Sequence, residues 1–97
     1  MAIGFIMQFE NMSTDKYDAI AKELGYKLHS NGGYPLGVLS HAVGKTQGGG
    51  LVVVDVWDSE KDFGAFLEGQ LKPAFAKVGG ISEPKVTTFE VHNRFPA

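Results

Sequence analysis

His41 and Asp55 are the residues whose types and spacing point to proton transfer. They lie in a stretch, Leu36 to Asp58, that reads Leu-Gly-Val-Leu-Ser-His-Ala-Val-Gly-Lys, Thr-Gln-Gly-Gly-Gly, then Leu-Val-Val-Val-Asp-Val-Trp-Asp. Two β-branched runs of strand length flank a glycine cluster able to supply the positive φ angles of a tight reversal, which predicts a β-hairpin. Alternate strand residues share a face, so Leu39, His41 and Val43 form one set and Val53, Asp55 and Trp57 another. If Thr46 and Gly50 close the loop, His41 falls opposite Asp55 and Leu39 opposite Trp57. A carboxylate on one ring nitrogen fixes the imidazole tautomer and supports the imidazolium formed on proton uptake. His41 is then a candidate general base, with Asp55 as its catalytic partner, for a phenol or an activated carbon. Trp57, with Phe5, Phe66 and Phe89, offers aromatic faces to a flat apolar ligand. The same residues also read more plainly, as two partly buried polar groups satisfying each other beside a core tryptophan. A one-step change of loop register would separate the pair.

The elements that must position these residues follow from periodicity. Ala2 to Phe9 is predicted as a strand with Ile3, Phe5, Met7 and Phe9 on one face. Ser13 or Thr14 caps a helix that carries Tyr17, Ile20, Ala21 and Leu24 as its apolar stripe and stops at Gly25. Tyr26 to Pro35 has turn chemistry throughout and is the longest irregular loop; its rings Tyr26, His29 and Tyr34 either gate a pocket or are ordinary exposed loop residues. After the hairpin, Ser59 with Asp62 resembles a capping box. The helix that follows keeps apolar spacing to Gly79-Gly80, with Pro73 predicting a kink near Gln70 or two short helices. A last strand is expected from Lys85 to about Asn93, with Thr87, Phe89 and Val91 alternating against Thr88, Glu90 and His92, and with Glu90 and His92 at a dimer edge.

Composition bounds the function classes. Ninety-seven residues make a single domain, 1–97. A net charge of −2 and a pI near 5.8 argue against a nucleic-acid surface. The absence of cysteine excludes thiolate chemistry and suits a reducing cytoplasm, the expected compartment. The amino terminus lacks a basic residue before its short apolar run and reads as a strand, not a signal peptide, and no run is long enough to span a bilayer. His29, His41 and His92 share no metal-ligand spacing, so neither metal nor cofactor is expected. Gly48 to Gly50 lack the following Lys-Ser/Thr of a phosphate loop and read as a turn.

The order strand, helix, strand, strand, helix, strand predicts an α+β, ferredoxin-like βαββαβ fold, with an antiparallel sheet in order 4-1-3-2 and both helices on one face. Val52, Val54 and Val56 then form an apolar row on the uncovered face, where a second copy of the same sheet is the expected partner.

The βαββαβ order, the Val-Val-Asp-Val-Trp-Asp-Ser-Glu that leads into a Phe-rich helix and the tail Glu-Val-His-Asn resemble the dimeric α/β-barrel superfamily. Within it, the likeness is to small actinobacterial-type proteins grouped with antibiotic-biosynthesis-type monooxygenases, and it covers nearly the whole chain. The resemblance implies a homodimer through the valine face and a pocket between sheet and helices, lined by Phe5, Met7, His41, Val53, Asp55 and Trp57. It implies a cofactor-independent oxygenase, cyclase or isomerase acting on a flat aromatic or polyketide-like molecule, or a non-catalytic dimeric binding protein. Haem-degrading relatives carry a histidine on the second helix, and Ser59 to Val78 contains none. Cyclases of the olivetolic-acid type would have histidine near Lys72 and tyrosine near Phe66, and neither is present.

Overall fold

The computed structural model describes residues 1–96. In chain order the elements are β1 (Ile3–Phe9), α1 (Thr14–Leu24), β2 (Val38–Lys45), β3 (Leu51–Trp57), α2 (Glu60–Phe66), a π-helical turn (Leu67–Leu71), α3 (Lys72–Val78) and β4 (Lys85–Glu90). The strands form one antiparallel sheet in the order β2-β3-β1-β4, the predicted ferredoxin-like arrangement read from its other edge. The alternation in β1 places Phe5, Met7 and Phe9 against the helices, where they join Val53 and Trp57 from β3 and Tyr17, Ile20, Phe63, Phe66, Leu71 and Ala74 in one core.

Helix boundaries follow local chemistry. Ser13 Oγ accepts the Lys16 amide at 3.1 Å and Ser59 Oγ accepts the Asp62 amide at 3.1 Å, so each serine satisfies an amide that the first helical turn leaves free. Gly25 ends α1 at φ 82°, with its amide turned back to Ala21 and Lys22 carbonyls. The proline-driven irregularity expected near Gln70 takes the form of a π turn in which the Lys72 amide donates to the Leu67 carbonyl. Pro73 has no amide to give Gly69, and its ring would crowd that carbonyl in a straight α-helix; the wider turn resolves both problems and delivers Leu71 to the core.

Two expectations are corrected. β4 ends at Glu90, short of Asn93. Its faces are also the reverse of those expected: Phe89 pairs with Gly4 and Thr87 with Ile6, on the helix-free side, while Glu90 pairs with Ile3 on the helix side. Every residue of β4 is exposed, so its pattern carries no inside-outside polarity; the Phe89 ring instead lies across Gly4, in the space that a β-carbon there would fill.

Candidate active site

The hairpin closes as its glycines require. The Thr46 amide donates to Gly50 O at 3.0 Å and Thr46 Oγ1 accepts the Gly50 amide at 3.1 Å, with Gly49 at φ 87°. That closure sets Val43 opposite Val53 and His41 opposite Asp55. Past Ser40 the ladder slips by one residue, so Val38, not Leu39, faces Trp57; the bulge falls where the chain leaves the loop and turns onto the sheet edge.

The pair is in contact. His41 Nδ1 lies 2.6 Å from Asp55 Oδ1, and Trp57 Nε1–H donates to Asp55 Oδ2 at 3.2 Å. Asp55 is 4% exposed, so both carboxylate oxygens are held by donors in a dry setting. On the far side of the ring, His41 Nε2 lies 2.7 Å from Tyr17 Oη. The Asp55 carboxylate can only accept, so Nδ1–H donates to it. In the neutral ring Nε2 then accepts from Tyr17, whose phenol is pushed up to about 12 by burial, with Tyr34, Asp55 and Asp18 adding, and keeps its proton at neutral pH. Tyr26, raised above the ordinary range by burial and then by Asp55, Tyr17 and Tyr34, is likewise a neutral phenol.

Tyr17 was not foreseen as part of the site, because its position fits the apolar stripe of α1. The available signal was chemical: a tyrosine on a buried stripe brings a hydroxyl that needs a partner. The loop rings arrive differently. Gly33, at φ 85°, packs against the Gly25 carbonyl so closely that a β-carbon would collide with it, and this contact folds the loop back on itself. Tyr34 thereby rests on Tyr26 with ring centroids 4.3 Å apart, and the two rings stand 5.7 Å and 5.8 Å from the His41 ring.

Access to the site is from outside the core. A cleft of about 430 Å³ opens between α1, the 26–35 loop and β2; Thr14, Asp18, His29, Asn31 and Tyr34 line it, with Tyr17 and His41 at its floor. The His41 side chain is 14% exposed. The space between sheet and helices, where the pocket was expected, holds only about 40 Å³, bordered by Met7, Val53 and Phe66 among others. Trp57 is 1% exposed and packs on Phe63 and Phe66, and Phe5 stacks on Phe63 at 4.0 Å. These two expected ligand contacts are core residues here, because the phenylalanines of α2 fill the volume that a ligand would need. Phe89 lies on the other side of the sheet, remote from His41. Tyr34 borders the outer cleft and not the space between sheet and helices. Among the described residues, no group of three or more His, Cys, Asp or Glu side chains is placed to hold a metal, and no helix is long and apolar enough to cross a membrane.

No protein-family profile and no curated protein matches the chain. Its fold does match solved structures over nearly its full length. Rv0793 from Mycobacterium tuberculosis superposes with a TM-score of 0.72 at 14% identity, covering 98% of this chain and 99% of that one. SnoaB, a cofactor-independent oxygenase from Streptomyces nogalater, gives 0.69 at 14% identity over 99% and 98%. A Chloroflexus aurantiacus protein provisionally grouped with the antibiotic biosynthesis monooxygenases gives 0.66 at 20% identity over 97% of each chain. At these identities the likeness establishes the ferredoxin-like fold that the chain has in common with such proteins.

Proposed function

We propose that the chain is a small enzyme working without a cofactor, an oxygenase, cyclase or isomerase that begins by taking a proton from a flat aromatic or polyketide-like molecule. The observation that carries this reading is the hydrogen-bonded series Tyr17–His41–Asp55, anchored by Trp57 and open to a cleft of substrate size. In the first step Tyr17 Oη accepts the substrate proton as it passes its own to His41 Nε2. Tyr17 ends as it began, His41 becomes an imidazolium, and the Asp55 carboxylate balances that charge. The substrate anion left behind can then meet dioxygen, attack its own carbonyl, or regain the proton at another atom. The substrate lies in the outer cleft against Tyr34, because the helix–sheet space is too small for an aromatic ring system. The likeness to SnoaB favours the oxygenase member of this set.

The proposed working unit is a single-domain homodimer, cytoplasmic in keeping with a chain free of cysteine, joined through the helix-free face. Val54 at 38% and Phe89 at 42% exposure stand there with Val52, Val56 and Ile6. One observation favours the second reading, a non-catalytic dimeric binding protein: Trp57, Phe66 and Phe63 leave the interior nearly filled. Quinols and aromatic polyketides, followed by absorbance and by dioxygen uptake, separate the two. Turnover that falls roughly 10²–10⁴-fold in His41→Ala with mass and fold retained supports the enzyme. Binding without turnover, or turnover indifferent to His41, supports the alternative.

A further inference from the structure

Behind the Tyr17–His41 hydrogen bond lies the small space of about 40 Å³ already noted, walled by buried core side chains that include Met7, Met12, Val53, Phe66 and Leu71. Among the described residues, Tyr17 and His41 are the two that border both this chamber and the outer cleft, and they are hydrogen-bonded to each other. Water is a poor occupant. Tyr17 Oη, both ring nitrogens of His41, both oxygens of Asp55 and Trp57 Nε1 are engaged with one another, which leaves the Tyr26 hydroxyl as the one side-chain polar group on the chamber wall, among the described residues, that makes no hydrogen bond. A buried water needs some two to four such partners. The volume exceeds the roughly 10–15 Å³ that admits one water and is far below the roughly 150 Å³ of a cavity that takes benzene. What fits is an apolar molecule of about two heavy atoms.

We infer that this chamber is a dioxygen site, placed on the inner side of the Tyr17–His41 pair so that the gas is held next to the point where the substrate anion forms. The inference rests on the oxygenase form of the function proposed above, and it assigns the chamber a binding role only. The organic molecule approaches from the cleft and the gas from the core, and the side chains that border both spaces are those that move the proton.

Dioxygen itself is the probe, because it is paramagnetic and accelerates the relaxation of methyl protons beside which it dwells. With the protein free of substrate and equilibrated under oxygen, the methyls of Met7, Met12 and Leu71 are expected to relax several-fold faster than those of Ala21 and Ala74, which are equally buried but lie outside the chamber. Val53→Ile and Leu71→Phe each add volume to the chamber wall, and whichever folds should bring the enhancement down to the alanine level. Pressurised xenon should perturb the same three methyls in the parent protein and not in the filled variant. Enhancement at Met7 and Met12 no greater than at Ala21 and Ala74 overturns the inference. This measurement involves no turnover, so its failure leaves the proton-transfer reading standing, whereas full turnover in His41→Ala would remove that reading without touching the relaxation result.

Discussion

Asp55 is held by two donors, and the one from Trp57 is the structural one. Trp57→Phe removes the Nε1–H and leaves Oδ2 unpaired at a site only 4% exposed. The expected loss is about 1–3 kcal/mol from the unpaired oxygen alone, read as a lower midpoint in urea with unchanged slope. Tyr17→Phe tests the relay: the aromatic packing stays, the hydroxyl goes, and turnover should fall roughly 10²-fold with little change in thermal stability. Tyr17 also predicts a pH dependence. Its phenol titrates at about 12 in the folded chain against an ordinary 10.0, so the fold favours the protonated form. That stabilisation is complete below pH 10 and is lost as pH climbs from 10 toward 12. Tyr26 is shifted in the same direction and adds to the loss. Melting temperature followed up to pH 12 should therefore fall at the alkaline end, less steeply in Tyr17→Phe; a curve as steep as the parent's would disprove the assignment.

At the scale of elements, the 26–35 loop has the least regular structure and places the rings nearest the base. Its shape depends on Gly33, whose positive φ and contact with the Gly25 carbonyl admit no side chain. Gly33→Ala is expected to cost roughly 1–3 kcal/mol in local strain and to draw Tyr34 away from Tyr26 and His41. The measurable result is a raised KM for the substrate in the cleft, with the Tyr17–His41–Asp55 contacts intact by NMR of the imidazole protons. The π turn at Leu67–Leu71 is the comparable device in the helical layer: Pro73 forces a wider turn, and the wider turn places Leu71 on the inner chamber.

For the whole molecule, the sheet has two unlike faces. One is covered by helices; the other presents Val54, Phe89 and their neighbours to solvent in the single chain. Val54→Lys should convert a dimer to a monomer in light scattering at micromolar concentration, since it sets a charge into an apolar contact. Val86→Lys is the control, because Val86 pairs with Met7 on the opposite face and is already 50% exposed, and it should leave the mass unchanged. A parent protein of monomer mass would remove the dimer outright.

The element order, the Ser59 cap, the narrowing of the first cap to Ser13 or Thr14, the irregularity before Pro73 and the meeting of His41 with Asp55 were all legible in the chain itself. Each depends on near neighbours or on one short loop, and periodicity, capping chemistry and loop length act at that range. What only the tertiary structure decided was which side chains converge from distant elements. Tyr17 reaches His41 from a helix whose pattern asks merely for an apolar stripe, and Trp57 sinks beneath Phe63 and Phe66, which arrive from α2. Phe89 goes to the open face because its strand is exposed on both sides and takes its polarity from the partner Gly4. The location of the cleft is the outcome of these packings, since a pocket is the volume that distant side chains leave unfilled, and no local pattern of residues encodes it.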